Sequence, residues 1–180
     1  MHRSFIIGFA IVTLACGTAA LGQTDRVPEA GPVRALEYAE PSAEQLIDQF
    51  LEALARKDPD ALHRLRVTET EYREILMPTS VPEGQPLKQP SKELADLAWG
   101  LIDQKSSYYE QSLLMQYGGL QLRLKDVAYG KGEKRFAGYT ARRQLRLRLE
   151  DEASGAELEL GTGTIVEVAG RYKFVSFIRD

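Results

Sequence analysis

Few side chains in this sequence have the chemistry to act on their own. His63 is the only histidine beyond residue 22, so a metal centre built on imidazole would have one nitrogen and would lean on carboxylates such as Glu69 and Glu71. Those two have another use: Thr68-Glu69-Thr70-Glu71 reads as a capping box. No metal and no cofactor is expected. His63 remains a candidate general base, set against a plainer role as a histidine on a helix surface. Cationic side chains are more prominent. Arg142, Arg146 and Arg148 alternate along one strand, extended by Arg123 and Lys125 on another, a stripe able to receive an anionic headgroup or an acidic partner. Glu157 and Glu159 are expected to pair across a hairpin with Arg146 and Arg148. That leaves Arg142 and Arg143 without an obvious acid, and these two are candidate ligand- or partner-binding residues.

The single cysteine, Cys16, speaks of address rather than catalysis. Arg3 supplies a positive start, and Phe5 to Ala15 form an apolar run too short to span a bilayer as a mature helix, which takes ~20 residues. Residues 1–22 therefore read as an export signal with two endings. In one, Thr13-Leu14-Ala15-Cys16 is a lipobox, Cys16 is lipidated and the membrane contact is a lipid anchor. In the other, cleavage follows Ala20-Leu21-Gly22 and the protein is periplasmic or secreted. Residues 23–41 lack helical or strand period and read as a flexible tether. Residues 42–180 form one domain without a cysteine, hence without disulfide, thiolate nucleophile or cysteine metal ligand. Removing the signal takes away Arg3 and no acid, so the charge becomes slightly more negative than −3, the wrong sign for a nucleic-acid partner.

The first half of the domain reads as helices. Ser42 caps a helix with Leu46, Ile47, Phe50, Leu51 and Leu54 on one face, and Asp58-Pro59 starts a shorter one. The capping box opens another turn or two, carrying Tyr72, Ile75 and Leu76 and ending at Pro78. A proline-rich loop to Pro90 has the length of a lid. Ser91 then caps a long helix with a stripe from Leu94 through Leu97, Leu101, Tyr108 and Leu113 to Tyr117, ended by Gly118-Gly119. From Leu120 the period changes to two, giving four strands near residues 120–129, 139–149, 158–168 and 171–178 with a bulge near Asp126. Short turns make the sheet antiparallel. The expected class is α+β, with N-terminal helices and one long helix packed on a curved four-stranded antiparallel sheet.

This order of elements, with the stretch Thr68 to Pro78, Trp99, Lys105-Ser106, Tyr117-Gly118-Gly119 and the closing Gly170 to Phe177, resembles exported members of the nuclear-transport-factor-two-like superfamily. That superfamily is also called SnoaL-like, with a cystatin-like, cone-shaped sheet around a long helix. The resemblance implies a cone, and a possible homodimer through the sheet. It also implies, for enzymatic members, a carboxylate paired with a tyrosine inside the cone. Here Asp103 with Tyr108 or Tyr109 would supply the pair, and Trp99 and Tyr117 join Arg142 and Arg143 as candidate contacts to a ligand or partner. The favoured reading is an extracytoplasmic, membrane-tethered, non-enzymatic module that binds a small ligand or an envelope protein. The alternative is a small-molecule isomerase- or dehydratase-type enzyme using carboxylate and tyrosine.

Overall fold

The structure, a computed structural model, describes residues 35–87 and 90–179. The export signal, Cys16 and the first part of the expected tether lie outside the described residues. Residues 35–41, expected as the end of that tether, belong to the packed unit: Leu36 is buried, and Glu40 exchanges two backbone hydrogen bonds with Tyr172 at 3.1 and 2.9 Å.

Local chemistry sets the helix boundaries. Helix α1 (Ala43–Arg56) begins where the Ser42 hydroxyl accepts from the Gln45 amide, and ends at Lys57 in the left-handed region, φ 53°. Asp58 accepts from the Ala61 amide to start α2 (Pro59–Arg64), with Pro59 at a position that needs no donor. Both bonds of the capping box form at α3 (Glu69–Glu71), which runs into one π-helical turn, Tyr72–Leu76. Helix α4 (Lys92–Tyr117) is capped by Ser91 and stops at Gly118-Gly119, where Gly119 takes φ 87°.

The strands depart from the expected single sheet. Among the described residues seven strands form two antiparallel sheets: β1 (Leu122–Tyr129), β4 (Leu145–Asp151) and β5 (Glu157–Thr162) in the order β1-β4-β5, and β2 (Glu133–Arg135), β3 (Thr140–Arg142), β6 (Thr164–Val168) and β7 (Arg171–Ser176) in the order β2-β3-β6-β7. Two of the expected long strands are each broken in the middle. Between β3 and β4 the chain turns at Gln144, whose φ is 55°. Opposite it, between β5 and β6, Gly163 lies so close to β7 that a Cβ there would sit 2.0 Å from the Ser176 carbonyl oxygen, which only glycine tolerates. The expected bulge in the first strand is present, with the register shifting between Leu124 and Asp126. Strand β2 falls between the first and second expected strands.

The main core is built by α1 rather than by the longest helix. Leu46, Ile47, Phe50 and Leu54 meet Leu145, Leu147, Leu149 and Leu160 of one sheet and Ile165 and Phe174 of the other, all no more than 1% exposed. Each contributes ~1.5–3 kcal/mol by burial. Phe50, Phe174 and Phe177 pack at ring distances of 5.1–5.5 Å and fill the centre. A second cluster joins Leu36, Val67, Ile75 and Leu76 to Ala141, Val166 and Val168. Helix α4 reaches the main core through Leu113, with Tyr109, Leu114 and Tyr117 at its edge, while its first half touches the second cluster through Trp99. Among the described residues no helix is long and apolar enough to cross a membrane.

Candidate functional site

The most unusual polar arrangement surrounds Arg66, which follows α2. Arg66 bridges Phe174 of β7: Val67 donates to the Phe174 carbonyl at 2.7 Å, and the Phe174 amide donates to the Leu65 carbonyl at 2.9 Å. Arg66 is thereby fixed and 2% exposed. The inner face of α4 brings Asp103, Ser106 and Glu110 to it at helical spacing. Arg66 Nη2 donates to Asp103 Oδ1 at 3.1 Å, and Nη1 lies 3.9 Å from Glu110 Oε2, an ion pair but not a hydrogen bond. Arg66 Nε and Nη1 and the Ser106 hydroxyl are buried with no hydrogen-bond partner among the described residues. Burial raises the Glu110 pKa above its ordinary value, opposed by the charges of Arg66 and then His63. The cluster can hold or release a proton at Glu110 and has guanidinium donors left to give.

Two of the expected catalytic residues come to this cluster and two do not. Asp103 binds Arg66 directly, and His63, exposed in the last turn of α2, acts on Glu110 through its charge. Tyr109 packs at the edge of the main core, and Tyr108 is 70% exposed, its ring edge-on to Tyr109 at 5.8 Å. Among the described residues no hydrogen bond joins Asp103 to Tyr108 or to Tyr109, the two tyrosines that the resemblance offers as its partner. Arg66, Ser106 and Glu110 escaped the sequence reading. Their signal is polar residues at positions 103, 106 and 110, on the helix face that also carries Leu113, together with an arginine set among Leu62, Leu65 and Val67.

The candidate binding arginines are engaged. Arg142 has acids after all: Nη2 donates to Glu167 at 3.0 Å, and Nε lies 3.4 Å from Glu133. Its guanidinium sits 5.2 Å from the centre of the Tyr172 ring. Burial pulls its pKa down, but interaction with the Tyr172 hydroxyl and with Glu167 outweighs that and leaves it raised. Arg143 donates to the Lys131 carbonyl at 3.1 Å. Trp99 packs 5.6 Å from Tyr72, and Tyr117 lies at the core edge. The expected hairpin pairs also change. Arg148 faces Glu159 in register but forms its ion pair with Asp126, and Arg146 faces Gly161. Glu150 instead receives Lys125 and Arg123, which hold its carboxyl below the usual range.

A cavity lies elsewhere, a groove of about 480 Å³ between α1 and the start of β1. Its floor is Leu51, Ala55, Leu122 and Leu124, and its rim carries Asp48, Glu52, Arg123 and Glu152. Glu52 is paired with Arg56 at 2.5 Å and Arg123 with Glu150, whereas Asp48 and Glu152 have no ion pair among the described residues. Comparisons with protein-family models, curated proteins and solved structures found no match.

Proposed function

We propose that the chain is an exported, membrane-tethered, non-enzymatic module that binds a small ligand or an envelope partner in the groove between α1 and β1. The observation that carries this reading is the groove: an apolar floor beneath two carboxylates without an ion pair among the described residues, at a volume ordinary for ligand sites. Its chemistry suits a ligand with an apolar body and a cationic end. The Leu- and Phe-filled interior supports binding at the surface rather than inside the fold. The nuclear-transport-factor-two-like assignment belongs to the same proposal. It is supported by the long helix, and by the Leu145 amide donating to the Gly163 carbonyl at 3.0 Å across the break between the two sheets, as in one curved sheet bent at a corner.

The test is thermal unfolding with octylammonium and, as control, octanoate. The cation is expected to raise the Tm, and Asp48→Asn with Glu152→Gln to abolish the rise. Equal shifts from both ions, or none, would remove the groove as the binding site. Mass spectrometry of the mature protein, looking for lipid on Cys16, tests the anchor.

An enzymatic reading of the isomerase or dehydratase type is favoured by one observation, the raised pKa of Glu110 beside Arg66. It places the carboxylate role on Glu110 rather than Asp103. A 13C NMR titration in which Glu110 ionised together with the exposed glutamates would end it.

A further inference from the structure

Five of the seven large hydrophobic residues exposed among the described residues lie on α4. Leu94, Leu101, Tyr108 and Met115 are spaced by seven and are 54%, 50%, 70% and 81% exposed, and Leu97, three residues after the first, is 62% exposed. Gln104 and Gln111 continue the series begun by Leu97. In heptad terms the first set takes the a positions and the second the d positions. The residues docked on the domain, among them Ala95, Trp99, Ser106 and Leu113, fall in the b and f positions on the opposite side. This helix therefore has two apolar faces. One is covered by its own domain.

The period says what covers the other. Side chains repeating every 3.5 residues over three heptads track a second helix in a left-handed supercoil, whereas a straight helix of 3.6 residues per turn drifts from that repeat by ~20° per heptad. The two glutamines narrow the choice further. Against an apolar helix or a lipid surface their amides would lose water without gaining partners. Against a parallel copy in register, each amide meets its own counterpart and can both donate and accept. The flanking e and g positions from 93 to 114 carry only Glu93 and Lys105 as charges. In the parallel register Glu93 comes opposite Ala98 and Lys105 opposite Gly100, so no like charges meet. Gly100 has open space around it, which permits close approach.

We infer that α4 is a dimerisation helix, pairing in parallel register with α4 of a second copy of this chain while the two domains lie on the outer sides. This dimer uses the helix, not the sheet through which the superfamily resemblance would pair two copies, and it stands independently of the groove.

The test uses the exported protein carrying Cys16→Ser, so that no other thiol is present. Sedimentation velocity at tens of micromolar is expected to give twice the monomer mass, and Leu101→Glu to halve it with an unchanged far-UV spectrum. Gln104→Cys is expected to oxidise to a covalent dimer, with Gln121→Cys, away from the seam, remaining uncrosslinked; this arm holds even if Leu101→Glu fails to fold. A monomeric parent protein overturns the inference. So does a dimer that survives Leu101→Glu, or crosslinking no greater at 104 than at 121. A monomer that sediments with phosphatidylcholine vesicles and loses this on Leu101→Glu assigns the seam to a lipid surface and overturns it too.

Discussion

Two buried cations, Lys173 and Arg66, are anchored to the same strand and meet different ends. Lys173 is 1% exposed and reaches both oxygens of Glu71, at 2.9 and 3.2 Å. Glu71 is filled by two further donors, the amides of Thr68 at 2.7 Å and Glu37 at 2.6 Å. Arg66, equally buried, makes one hydrogen bond to an acid whose side chain is 43% exposed, with its nearest other acid 3.9 Å away. Desolvation costs both ions heavily, but only Lys173 meets both oxygens of a buried acid. A closed network of this kind fixes a fold. An open one leaves charge and donors in reserve, so Arg66 has interactions left to offer and Lys173 has none of that kind.

The largest effect should come from opening the closed network. Glu71→Ala strands the Lys173 ammonium and is expected to cost about 3–5 kcal/mol in chemical denaturation. Removing both charges, Glu71→Gln with Lys173→Met, should recover most of that loss; if the double variant is as unstable as the single, burial of the ammonium is not the cause. Arg66→Met should cost less, about 1–2 kcal/mol, because Asp103 regains water when the arginine leaves. A loss as large as that from Glu71→Ala would erase the contrast between the two cations.

The fold holds the Glu110 proton more tightly than the unfolded chain does, so its contribution to stability is complete below the ordinary carboxylate range and is lost as pH rises through the raised value. Glu110→Gln should remove that decline from the stability profile, and an unchanged profile would assign it to other groups. The smallest effect sets the floor. Glu52→Ala breaks a pair whose side chains are about half exposed, and thermal unfolding should register no more than ~0.5 kcal/mol.

What could be read from the sequence was the local part. Ser42, Asp58, Thr68 and Ser91 each cap the helix expected of them, because a cap is decided within four residues. Glu71 was legible as half of a capping box; its partner Lys173 lies 102 positions away and no local pattern points there. The α4 boundaries were legible but its buried face was not, since two apolar faces on one helix merge into a single broad stripe. The strand breaks were hidden for a different reason. Gln144 is not a residue that announces a left-handed turn, and the need for Gly163 comes from the Ser176 backbone. With those breaks unseen, the acids facing Arg142 could not be placed either. The groove combines α1 with β1, two segments about 70 positions apart, and its rim acids emerge only once the other charges have found partners.

The pairing of Glu40 with Tyr172 has a mechanical meaning. The two backbone bonds there, and the one from Glu37 to Glu71, stand between the N-terminal side of the chain and α1. A load pulled from that side falls first on these few bonds and on the packing of Leu36 in the second cluster, and residues 35–40 can peel from the β7 edge while Phe50 and its neighbours stay packed. A protein drawn by its N-terminus thus has a sacrificial strip ahead of its core, and stretching it in an optical trap should give a small early extension before the main rupture.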